Sequence, residues 1–73
     1  METYPSGQPI EKHDPVAVNY ESSSCIGWTG RVVTIGERYV RVHLDKNHLG
    51  DSVSHDMDLL SSMLTPLAEW KRR

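Results

Sequence analysis

The stretch Tyr39-Val40-Arg41-Val42-His43-Leu44-Asp45 decides the fold class. Val40, Val42 and Leu44 fall in one phase, and Tyr39, Arg41, His43 and Asp45 in the other. Successive residues of a strand face opposite sides of a sheet, whereas a helix would scatter these apolar positions around its circumference. The pattern therefore predicts a β-strand with one dry face and one wet face. Immediately upstream, Thr29-Gly30-Arg31-Val32-Val33-Thr34-Ile35 is rich in β-branched residues, and Gly36-Glu37-Arg38 separates the two segments. A hairpin is expected, with Gly36 supplying a backbone angle that β-branched neighbours adopt only at a cost. In its first strand Val33 and Ile35 share one phase, and Val32 and Thr34 the other. Both phases carry a β-branched residue, so either a bulge or burial on both sides is expected.

The chain has 73 residues, room for one small domain. A domain of this size buries only about 60% of the surface its unfolded chain exposes, so its core is thin. Hydrophobic residues make up 37% and Phe is absent, which leaves Val, Ile and Leu to fill the interior, with Trp28, Tyr39 and Tyr20 at its margin. Eight Lys and Arg against ten Asp and Glu give a net charge of -2. That balance withholds the globally cationic surface on which non-specific nucleic-acid binding depends, although Arg31, Arg38 and Arg41 offer a local patch. No apolar run reaches the roughly 18 to 20 residues that cross a bilayer, and the N-terminal segment lacks a secretory pattern. The lone cysteine, Cys25, allows no internal disulfide. A cytoplasmic location is the expectation.

Along the chain, residues 1–14 contain Pro5, Gly7 and Pro9 and are expected to form an irregular, flexible arm. Residues 15–65 form the expected folded domain and 66–73 a tail. A strand is expected over 16–20, with Val16, Val18 and Tyr20 on one face, followed by a serine-rich loop. After the hairpin, 45–51 is turn-rich and 52–54 suits a short edge strand. Asp56 or Asp58 is expected to cap a helical turn covering Leu59, Leu60, Met63 and Leu64, because aspartate accepts the free N–H groups of a first turn. Pro66 then ends that turn. A sheet this small protects its edges best by curling on itself. The expected fold is all-β: a small, partly open, five-stranded barrel with a short helical turn near the C-terminus.

Gly30, Val32, Ile35, Val40 and Val42 resemble the core hairpin of the SH3-like small-barrel superfamily, particularly its KOW-type members. There an apolar strand opens at a glycine and a short turn leads to an alternating valine strand. Val16-Ala17-Val18, Gly30-Arg31-Val32-Val33, Val40-Arg41-Val42 and Asp45-Lys46-Asn47-His48-Leu49-Gly50 are also similar in order and spacing to small SH3-like accessory subunits of photosynthetic assemblies, such as the E subunit of photosystem I. The resemblance implies an SH3-like barrel. The serine loop with Cys25, the Trp28-Thr29 pair and the tail after Pro66 depart from both patterns. Shared fold assigns no function by itself.

His43, His48 and His55 lie near Asp45, Asp51, Asp56 and Asp58, yet their spacing matches no recurrent metal site. Ser22, Ser23, Ser24 and Cys25 lack the base and oxyanion donors that a nucleophile requires. No phosphate loop or dinucleotide glycine pattern is present. No catalytic residue, metal or cofactor is expected. The outward face of the 31–43 hairpin is more promising: Arg31, Arg38, Tyr39, Arg41 and His43, with Trp28 nearby. Arginine and aromatic side chains carry much of the binding energy of protein interfaces. The expected function is therefore that of a non-enzymatic accessory or adaptor protein that docks a larger protein or complex through this face. The alternative is a KOW-like module contacting RNA or the ribosome, with arginines on phosphates and Trp70-Lys71-Arg72-Arg73 as a second anchor.

Overall fold

Alternation in the central hairpin organises one antiparallel sheet in the computed structural model, which describes residues 3–70. Its strands are β1 (Pro15–Val18), β2 (Thr29–Ile35), β3 (Val40–Lys46), β4 (Ser52–Leu59) and β5 (Leu64–Pro66). The order across the sheet is β4-β3-β2-β1-β5, so β4 and β5 are its two edges and the sheet is not fully closed. Single 3-10 turns follow, at Ser61–Met63 before β5 and Leu67–Glu69 after it. The all-β architecture and the short turn near the C-terminus agree with the sequence pattern.

β3 behaves as its alternation requires. Val40, Val42 and Leu44 are wholly buried, while Arg41 and Asp45 are exposed and His43 is half-buried. Each buried aliphatic side chain of this kind stabilises the fold by about 1.5–3 kcal/mol. In β2 the phase conflict is resolved by a bulge. Val32 pairs with Val42 and Thr34 with Arg41, so Val33 is the extra residue and its side chain is exposed. The insertion brings Ile35, rather than Thr34, opposite Val40.

Two glycines matter here for steric reasons. A Cβ on Gly30 would lie 1.9 Å from the His43 carbonyl oxygen, so β2 reaches β3 there only without a side chain. Gly36 does not have the positive φ expected from the sequence. Its N–H donates to the Tyr39 carbonyl at 2.9 Å, and a Cβ would come within 2.9 Å of that same oxygen. Close approach, not backbone angle, favours glycine in this turn.

The C-terminal third differs from expectation. β4 runs for eight residues instead of three, and Asp56 and Asp58 are strand residues. Leu60 stands at the start of the 3-10 turn and provides no side-chain cap. Ser54, Asp56 and Asp58 alternate with Val53, His55, Met57 and Leu59. Pairing with β3 satisfies the backbone groups on one side of the segment, interrupted by a register shift between Ser52 and His55, and this outweighs the one or two N–H groups an aspartate cap would satisfy. Upstream, β1 ends at Val18 and Tyr20 is exposed, so Tyr20 does not share the face of Val16 and Val18.

The segment read as an irregular arm is packed instead. Tyr4 and Ile10 join Val16, Val18, Cys25, Val32, Leu59 and Leu64 in the core. The His13 N–H donates to the Val32 carbonyl at 2.8 Å, and the Val32 N–H to the Asp14 carbonyl at 3.0 Å, so β2 holds the segment by its backbone. The Tyr4 hydroxyl donates to Asp14 Oδ2 at 2.9 Å, and the Glu11 N–H donates to the same oxygen. At the other end, Pro66 belongs to β5 and Trp70 is half-buried. Lys71, Arg72 and Arg73, the bases of the expected anchor, lie outside the described residues.

Burial, reinforced by the Asp14 carboxylate, raises the Tyr4 phenol far above its ordinary value of 10.0. A group raised on folding contributes stability below its unfolded value and loses it as pH climbs past that value. Denaturant unfolding between about pH 9 and about pH 11 should therefore show a steep alkaline loss of stability. Tyr4→Phe should cost about 1 kcal/mol at neutral pH and make that alkaline slope shallower. An unchanged slope would mean that Tyr4 ionises freely.

Candidate docking surface

The outer face of β2, β3 and β4 is a grid set by strand register. One row runs Arg31, His43, Asp56; the next runs Thr34, Arg41, Asp58. Directly opposed side chains on one sheet face lie within reach of each other. The Arg41 guanidinium uses that reach fully, with Nε 2.9 Å from Asp58 Oδ1 and Nη2 3.3 Å from Oδ2. His43 Nδ1 lies 2.5 Å from Asp56 Oδ1. Arg31 donates from Nη1 to the His13 carbonyl at 3.2 Å.

The Arg41–Asp58 contact leaves a mark on both partners. Its hydrogen bonds and charge hold Asp58 below the ordinary carboxylate range and Arg41 above its usual value. Both side chains are exposed, so water and salt screen the pair and its effect on stability is small. Its larger effect is orientation. Two of the five guanidinium donors are occupied, which fixes the plane of the fork and leaves the others available.

At the hairpin end of this face is a shallow groove of about 300 Å3, lined among others by Glu37, Arg38, Tyr39, Arg41 and Asp58. Tyr39 is 50% exposed. Five of the six residues singled out from the sequence therefore gather here: Arg31, Arg41 and His43 share the face by register, and Arg38 and Tyr39 line the groove at its end. Trp28 stands apart. It packs against the core, and its ring meets His55 edge-on at 6.0 Å between centroids. His55 pairs with Leu44, in the core-facing phase of β4, so Trp28 lies on the opposite side of the sheet from Arg41.

Sequence reasoning missed Asp56 and Asp58 as members of this surface because it placed them at a helix start. The signal was their alternation with Met57 and Leu59, which continues the period of two begun at Ser52. These acids change the character of the face: Arg41 and His43 each meet a carboxylate across the strand pair. Elsewhere, His43, His48 and His55 do not converge. Among the described residues no group of three or more His, Cys, Asp or Glu side chains is placed to hold a metal ion. Cys25 is buried. No helix among the described residues is long and apolar enough to cross a membrane. Compared with models of known protein families, with curated proteins and with solved structures, the chain matches none.

Charge compensation by β4 has a direct test. Asp56→Asn combined with Asp58→Asn should free Arg41 and His43 and delay elution from a heparin column relative to the parent. Identical elution of the two proteins would contradict the view that these acids neutralise the face.

Proposed function

We propose that this chain is a non-enzymatic, cytoplasmic accessory or adaptor protein built on an SH3-like barrel, and that it docks a larger protein through the outer face of the 31–43 hairpin. The observation that carries this reading is the groove lined by the exposed Tyr39, Arg38 and the Arg41–Asp58 pair. A rigid aromatic beside an oriented guanidinium is the combination on which interface affinity concentrates, because both bury large area at little cost in side-chain freedom. Charges of both signs on the same face suit a polar protein surface better than a phosphate track, which calls for uncompensated cations along its length. The strand order, with β1 between β2 and β5, and the 3-10 turn before the last strand support the barrel assignment.

Affinity purification from native extract, with and without nuclease, tests the proposal. The parent chain should retain a protein partner after nuclease treatment. Tyr39→Ala with Arg38→Ala should reduce that retention at least about tenfold, the scale of a single interface hot spot, with no change in thermal midpoint. Retention abolished by nuclease would favour the RNA-contacting alternative, and retention unaffected by the double substitution would remove this groove from consideration.

A further inference from the structure

Pro66 ends β5 and leads into the 3-10 turn Leu67–Glu69, which lies against β1. The Trp70 N–H donates to the Pro66 and Leu67 carbonyls at 3.1 and 3.2 Å, which closes the turn on a half-buried indole. Leu67 remains 41% exposed. With Pro15 it forms the wall shared by two depressions, of about 410 Å3 and about 370 Å3. The first holds Glu11 and Asp14 among Tyr4, Pro9 and Pro66. The second holds Arg31 and Lys46 beside Trp70, with Asp45 as its one carboxylate. The two are adjacent and opposite in charge. Register accounts for the cations: Arg31 stands opposite Pro15 and His43, and Lys46 opposite Thr29 and Ser52, so no carboxylate faces either across a strand pair. Among the described residues neither makes an ion pair, unlike Arg41. Asp14 also has capacity to spare. Its Oδ2 accepts from the Tyr4 hydroxyl and the Glu11 N–H, and among the described residues nothing donates to Oδ1.

We propose that these two depressions together dock an extended segment of a partner protein that carries an acidic, an apolar and a basic side chain in alternate positions. The acid meets Arg31 and Lys46, the apolar side chain lies over Leu67 beside Trp70, and the base meets Glu11 and Oδ1 of Asp14. Alternate residues of an extended chain face the same side, and the four steps from acid to base span roughly 13 Å, enough to cross the shared wall. Charge complementarity at both ends selects this occupant. A nucleic-acid strand could set one phosphate on Arg31 and Lys46 and a base on Trp70, but its path onward would bring phosphate against Glu11 and Asp14. Exposed ion pairs contribute little affinity each. Their effect is on which sequence is accepted, because a like charge at either end is repelled. The site shares Arg31 with the outer face of the hairpin but no lining residue with the Tyr39 groove, so it goes beyond the hairpin reading and the two fail separately.

Titration of the isotope-labelled full chain with blocked pentapeptides, followed by NMR shifts of its amide and indole N–H groups, tests the site. Asp-Thr-Leu-Thr-Arg and Arg-Thr-Leu-Thr-Asp cover both chain directions. The better of the two should move the Trp70 indole N–H and the amides of Leu67 and Glu11. It should bind at least about threefold more tightly than Asp-Thr-Leu-Thr-Asp or Arg-Thr-Leu-Thr-Arg, and more weakly as salt is raised. Lys46→Glu should transfer the preference to the two-base peptide, and Glu11→Lys to the two-acid peptide. Both variants should keep the parent's thermal midpoint, since both side chains are exposed. Tyr39→Ala with Arg38→Ala should leave the titration unchanged. Equal affinity for all four peptides overturns the proposal, as does tighter binding of oligothymidylate, a response confined to the Tyr39 groove, or no shift from any probe at millimolar concentration.

Discussion

The inner row of β3 constrains everything else in this molecule. Val40, Val42 and Leu44 must all leave water, and a strand hides one phase only by presenting the other. Burying that row fixes Arg41 and His43 on the outer face, where register with β4 delivers Asp58 and Asp56 to them. A slip of one residue would reverse both outcomes together, exposing valines and burying a guanidinium. The core and the candidate surface are thus two consequences of one pairing.

A flat sheet of this size would leave its apolar face half covered. The bulge at Val33 and the close approach at Gly30 bend β2, the strand that pairs with both β3 and β1. Curvature alone does not finish the core, because β4 and β5 do not pair with each other. Side chains from outside the strands complete it: Tyr4 and Ile10 from the N-terminal segment, Cys25 from the loop after β1, and Trp28 at its margin. Small domains have little interior to spare, and here even a proline-bearing lead-in contributes to it.

Legibility in the sequence tracked how local the deciding physics was. The alternation of β3 could be read directly, since period and face are properties of the strand itself. The bulge at Val33 was legible as a conflict of phase but not as a choice, because its resolution depends on which residues of β3 stand opposite. Asp56 and Asp58 were misread for a different reason. Aspartate serves equally as a cap or as an outward strand residue, and only pairing with β3 distinguishes the two. Tyr4 and Ile10 carried no periodicity at all. Two apolar residues amid prolines and polar groups look like an arm until the sheet supplies a cavity for them. On the outer face, the phase of β3 is enough to place Arg41 and His43, whereas Trp28, near them in sequence, packs on the core side.

Native-state hydrogen exchange resolved by residue tests most directly the claim that β3 is the centre of the fold. The amides of Val40, Val42 and Leu44 should fall in the slowest class and open only with global unfolding, while those of the three-residue edge strand β5 exchange earlier through local opening. Amides of β3 that exchange as fast as those of β5 would contradict the account.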